Sequence, residues 1–258
     1  VRWITIRTQL RHWLEFVGPT TKMNEIKKTK YDEYYSHRRS QNPEVVNSTL
    51  IAERGTIRAV YKWAIDRGMI HYSSVPEFTP LKKSHSRRRL IDVEEYRVMY
   101  QYLKSDNFLK NCPPQDKVFR QQILYLTIVL SNTGIRLGEC RRLLWSNVKR
   151  IHKEGAKTRS QWSVELLLQE HQTKNKKERP VQGRRGDVFV DLKKLTDFTR
   201  KSDPVFADFH TGGPLLEDSK HKIYNTWNEM TRVTGLDQHE EPPTFYHLRH
   251  FYASQRIR

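Results

Sequence analysis

A mainly helical chain with one small β-sheet is the fold class predicted by the amino-acid sequence, and three observations carry it. Apolar residues recur at helical spacing from Arg2 to Arg67. A stretch with two prolines and then a dense basic run interrupts that pattern around residue 80. Beyond it, helical segments give way between Val148 and Val181 to short runs of strand character before helices return. The expected organisation is an all-α domain over 1–80, a basic interdomain linker over 81–91 and an α+β domain over 92–258.

The N-terminal elements follow from periodicity and punctuation. Trp3, Ile6, Leu10, Trp13, Leu14 and Val17 form an amphipathic stripe that Gly18-Pro19 ends. A second helix is expected from about Lys28 to Arg39, stopping before Asn42-Pro43 because a residue preceding proline disfavours the helical region. The third, from about Asn47 to Arg67, places Leu50, Ile57, Val60, Tyr61, Trp63, Ala64 and Ile65 largely on one face, with Gly68 as its C-cap.

Lys82-Lys83-Ser84-His85-Ser86-Arg87-Arg88-Arg89 then precedes the acidic helix start Asp92-Val93-Glu94-Glu95. Such a run reads as a solvated hinge or as a strap that tracks phosphates. A helix follows from Asp92 to Leu103, then a loop through Pro113-Pro114 and an apolar run, Ile123 to Leu130. Strands are expected at Val148–His152 and Trp162–Leu168, and a basic turn from His171 leads into another near Val181. Helices are expected again at Lys193–Thr199, Asp218–Thr234 and Tyr246–Ile257.

Composition sets the partner. Against 47 Lys+Arg stand 29 Asp+Glu, a net charge of +18, and the pI is near 9.9. That balance points to a polyanion, with double-stranded DNA the default. No apolar run reaches spanning length and no lipidation motif stands at either end, so a membrane is not the expected partner. Cys112 and Cys140 supply neither a disulfide framework nor a zinc-ribbon spacing, which suits a reducing cytoplasm and a DNA-associated protein. Val1 in place of an initiator Met suggests a sequence that starts inside a longer protein.

Chemistry is concentrated around Arg136. Ser131-Asn132-Thr133-Gly134 breaks the apolar run, and Ile135-Arg136-Leu137-Gly138-Glu139 opens a second helix with Leu143, Leu144 and Trp145 on its apolar side. A guanidinium held between apolar neighbours needs an anion, and its planar fork suits a carboxylate or a phosphate. A purely structural Arg136-Glu139 pair satisfies the same requirement. Near the C-terminus Arg249 lies on an aromatic-rich helix between His247 and His250. Two histidines three apart could ligate zinc, but no third ligand stands at a diagnostic spacing, so no metal is expected.

Thr133-Gly134-Ile135-Arg136-Leu137-Gly138-Glu139, followed by Tyr246-His247-Leu248-Arg249-His250-Phe251-Tyr252-Ala253-Ser254, resembles the two arginine motifs of the tyrosine recombinases, the phage integrases and their relatives. The N-terminal helices, ending in Trp63-Ala64-Ile65-Asp66-Arg67-Gly68, are similar to that family's core-binding domain. The resemblance implies that Arg136 and Arg249 clamp a scissile phosphate and that Glu139 orients the arginine-bearing loop. It gives Tyr246 and His250 supporting places. A lysine from the β-hairpin would protonate the leaving 5′-oxygen: Lys174 by register, with Lys176 and Lys177 as rivals or as phosphate contacts beside Lys82, Lys83, Arg87, Arg88 and Arg89.

It further implies site-specific recombination of a mobile element, integration or excision, by a homo-oligomer on DNA arranged as a tetrameric synapse. The 3′-phosphotyrosyl bond conserves energy, so neither ATP nor another cofactor is expected. Two departures stand out. Tyr246 occupies the place of the family's usual histidine, and a phenol is a poor base at neutral pH. The family's nucleophilic tyrosine would lie beyond Arg258, so residues 1–258 are expected to bind DNA without forming a covalent adduct. A type IB topoisomerase relative and a non-catalytic DNA-binding regulator are the alternatives.

Overall fold

A computed structural model describes residues 2–27, 29–83, 89–215 and 220–257. The chain divides into two compact units, Val1–Arg87 and Arg88–Arg258. The first holds α1 (Arg2–Val17), α2 (Thr29–Gln41) and α3 (Asn47–Asp66). Its core is aromatic: Trp13 of α1, Tyr31, Tyr34 and Tyr35 of α2, Tyr61 of α3 and Phe78 from the segment after it. Trp13 stacks on Tyr31 with centroids 5.6 Å apart and meets Tyr34 edge-on at 5.2 Å. Of the expected α1 stripe only Trp13 is fully buried, and Trp3 and Leu14 are exposed. Val17, at the far end of the stripe, is partly buried against the same core.

An ion pair sits beside this core. Arg38 donates through Nε to Glu53 Oε2 at 3.0 Å and through Nη2 to Oε1 at 2.9 Å, and Tyr34 Oη adds a bond of 2.8 Å. Only 1% of Glu53 is exposed, so it occupies a place on the inner face of α3 that an apolar stripe alone would not reveal. Burial works against its carboxylate, but the bonds from Arg38 and Tyr34 outweigh it and hold the pKa below the ordinary glutamate value.

In the second unit α4 (Val93–Lys104) starts at a reciprocal capping box, Asp92 accepting from Glu95 N and Glu95 from Asp92 N. A short α5 (Asp106–Leu109) leads to α6 (Lys117–Thr133), the buried axis of the unit. The sheet is antiparallel in the order β1-β2-β3, with β1 Val148–His152, β2 Ser163–Leu168 and β3 Arg179–Arg184. After α8 (Asp187–Leu192), α9 (Lys220–Val233) and α10 (Phe245–Ile257) complete the unit, α10 packing along α6.

Two expected helices are corrected. The helix opening at Arg136 is the single turn α7 (Leu137–Cys140). Leu143 and Trp145 are buried by another route, because Val205 N donates to Leu143 O and Trp145 N to Asp203 O, drawing the backbone into a strand-like pairing. The helix expected over Lys193–Thr199 lies earlier, as α8, whose Val188, Phe189 and Leu192 enter the core. At 196–198 the Thr196 hydroxyl accepts from Phe198 N, and the Trp145 indole donates to Phe198 O, removing groups a helix would need.

Candidate active site

Gly134 joins the two arginine-bearing segments. It ends α6 in the left-handed region at φ 62°, and a Cβ there would stand 2.2 Å from the ring of Tyr252 on α10. Both the backbone conformation and the close approach of α10 therefore require glycine. The Gly134 carbonyl accepts from Arg249 Nη1, 115 positions later in sequence. α6 and α10 thus deliver their functional ends to one place.

Arg136 follows at the start of α7. Its backbone N–H donates to Glu139 Oε2 and its Nη1 to Oε1, both at 2.8 Å. The structural pair foreseen as one reading therefore exists, while part of the guanidinium remains exposed. Glu139 also accepts from Arg179 Nη2 at 2.7 Å. Burial opposes the Glu139 carboxylate, yet the two arginines outweigh it and hold its pKa below the ordinary glutamate value. Arg249 shows the converse: burial, then the charge of Arg136, push its pKa below the usual guanidinium value, with Arg179 adding to the effect. Two guanidiniums thus share one buried carboxylate, and the third, on Arg249, is held beside them by the Gly134 carbonyl. A cleft of about 300 Å³ lined by Gly134, Arg179, Gln182, Arg249 and Tyr252 opens beside them. Net positive charge around a concave surface is the electrostatic requirement for holding an anion.

On α10 the histidines separate. His247 turns inward, where its Nδ1 accepts from Thr244 N and lies 2.9 Å from Thr244 Oγ1 at the helix start. Tyr246 faces outward, 44% exposed, and meets the His250 ring edge-on at 4.8 Å. His250 Nε2 is buried and has no hydrogen-bond partner among the described residues.

Lys174, Lys176 and Lys177 are exposed on the turn between β2 and β3. Among the described residues none of their ammonium groups makes a hydrogen bond or ion pair, so the geometry does not single one out. Lys82 and Lys83 are exposed in the first unit. Arg87 and Arg88 lie outside the described residues. Arg89 is already engaged, its side chain with Glu95 and its backbone N–H with Glu241.

No protein-family model matches the sequence, and no curated protein is similar to it. Solved structures are similar. A lambda integrase dimer bound to a COC' core site shares 17% identity and a TM-score of 0.67 over 97% of this chain and 62% of that one. The XerH site-specific recombinase bound to difH substrate gives 14% identity and a TM-score of 0.68 over 98% and 67%. The Tn1549 transposon integrase with transposon right end DNA gives 12% identity and 0.59 over 98% and 80%. The chain has the tyrosine-recombinase fold. It spans about three-fifths of the lambda integrase chain it matches.

Within the tyrosine-recombinase fold, Arg179 is the residue that sequence reading missed. It sits in the basic stretch Lys176-Lys177-Glu178-Arg179-Pro180, where every cation looks alike. Only the first position of β3 distinguishes it, since strand alternation fixes which way its side chain leaves the sheet.

Proposed function

We propose that the chain is the DNA-clamping part of a site-specific recombinase that integrates or excises a mobile element through a 3′-phosphotyrosyl intermediate. The observation that carries this reading is that Arg136 and Arg179 share the carboxylate of Glu139 while Arg249, bonded to the Gly134 carbonyl two residues before Arg136, reaches the same corner. Cleaving a phosphodiester by in-line attack builds charge on the non-bridging oxygens, and preorganised guanidiniums stabilise it there. Arg136 and Arg249 are the clamp, Lys174 is the proton donor to the departing 5′-oxygen, and Tyr246 donates a hydrogen bond to phosphate with His250 behind it. Duplex DNA is the substrate, held by a homo-oligomer in a tetrameric synapse. The similar structures of integrases and a recombinase bound to DNA support this reading.

A nicked suicide substrate tests it. The full-length parent is expected to give a covalent protein-DNA band on a denaturing gel, and residues 1–258 alone none. A band from residues 1–258 would move the nucleophile to a tyrosine of this stretch, with Tyr246 and Tyr252 the first to substitute. No band from the parent would favour a DNA-binding regulator, and relaxation of supercoiled DNA without recombination a topoisomerase.

The basic run gives a separate expectation. If Arg87, Arg88 and Arg89 each neutralise a phosphate, replacing all three flattens the slope of log affinity against log salt by up to about 3 units. Because Arg89 is committed to Glu95, the expected change is about 2 units, at roughly 0.9 per phosphate contact. An unchanged slope would make the run a solvated hinge.

A further inference from the structure

The turn that carries Lys174 is held at both ends by the segment that follows Arg136. At the leading end Gln172, buried, donates through Nε2 to Arg142 O and to Asn147 Oδ1, while Arg142 Nη2 donates to Gln172 O at 2.7 Å. At the trailing end Arg179 Nη2 donates to Glu139 Oε2 at 2.7 Å, and the other oxygen of Glu139 accepts from Arg136. Inside the turn the Thr173 hydroxyl accepts from Lys177 N at 3.0 Å, and Lys176 adopts φ 50°. The β2–β3 ladder ends at the pair Leu168–Arg179, so sheet hydrogen bonds do not reach the lysines. Their placement rests on these two staples.

We infer that Arg179 is a positioning residue: through Glu139 it fixes the lysine turn against the Arg136 corner, so that proton donor and phosphate clamp form one preorganised unit. The inference rests on the reading of the site given above, with Lys174 as the donor. In the cleavage step the tyrosine hydroxyl gives its proton to solvent as its oxygen bonds to phosphorus, the P–O5′ bond breaks and the Lys174 ammonium proton passes to O5′. Replacing the bridging 5′-oxygen with sulfur removes the need for that proton, because a thiolate is a far weaker base than an alkoxide and leaves unaided. A residue that acts by placing the lysine is therefore rescued by sulfur. One that acts on the phosphate is not.

The experiment compares single-turnover cleavage of oxygen and 5′-bridging phosphorothiolate substrates by the full-length parent. Lys174→Ala should slow the oxygen substrate by at least about 100-fold, the lower end for a lost general acid, and recover on sulfur. Arg179→Gln should follow the same pattern with a loss of about 10- to 100-fold, the scale of a misplaced group. Arg136→Lys should stay slow on both. If Arg179→Gln does not fold, Arg179→Lys, which keeps a charge on Glu139 without the guanidinium fork, should show a smaller loss with the same rescue. Arg179→Gln slow on both substrates, or at parental rate on both, overturns the inference. A Lys174→Ala loss that sulfur does not rescue overturns instead the assignment of the proton donor, and the inference with it.

Discussion

Under the proposed function, Arg136→Lys and Arg249→Lys, in a protein that carries the nucleophilic tyrosine, should each cut strand cleavage by about 100- to 1,000-fold, the cost of removing one preorganised donor from a developing oxyanion. DNA affinity should fall by less than about tenfold, since lysine still neutralises a phosphate. The split follows from geometry. One nitrogen of Arg136 is committed to Glu139, leaving the rest of a rigid fork to meet the phosphate, whereas an ammonium is a point charge on a flexible stem. Arg249→Lys also loses the bond to the Gly134 carbonyl that ties α10 to the end of α6. Cleavage of a suicide substrate and a binding titration at the same salt concentration give the comparison. Equal losses in both assays would mean that the arginines only anchor DNA.

Glu53→Ala should destabilise the N-terminal unit by about 3–5 kcal/mol, the cost of leaving one partner of a buried pair without its counter-charge. Arg38 would then sit buried opposite nothing, and Tyr34 would lose its acceptor. Hydrogen exchange of the α2 and α3 amides reads the effect within the intact chain, and unchanged protection there would refute it. The same pair sets a pH dependence. Glu53 has its folded pKa held below the unfolded value, so its contribution is complete above about pH 4.3, the ordinary glutamate pKa, and disappears as pH falls through the folded value. Glu53→Gln, which cannot ionise, should remove that part of the acid transition.

Much of the fold was legible because it depends on neighbours in sequence. The helix start at Asp92, the strand at Val148–His152 and the long helix from Asn47 each rest on residues within a few positions. Elements whose backbone was claimed from a distance were misread. Leu143 to Trp145 pairs with 203–205 instead of continuing a helix, and Phe198 gives its carbonyl to Trp145. In the site, Arg136, Arg249 and Glu139 were visible as motifs but the second arginine on Glu139 was not, since Arg179 lies 40 positions away.

The sequence by itself determined the mainly helical class, the excess of positive charge and the two arginine segments, because periodicity, composition and short motifs are properties of the chain alone. The tertiary structure decided which charges meet: Glu139 between Arg136 and Arg179, Glu53 under Arg38, His247 inward while Tyr246 faces out. The reason is physical. A buried charge is satisfied by whichever partner the packed elements bring within about 3 Å, and that distance has no counterpart in sequence spacing.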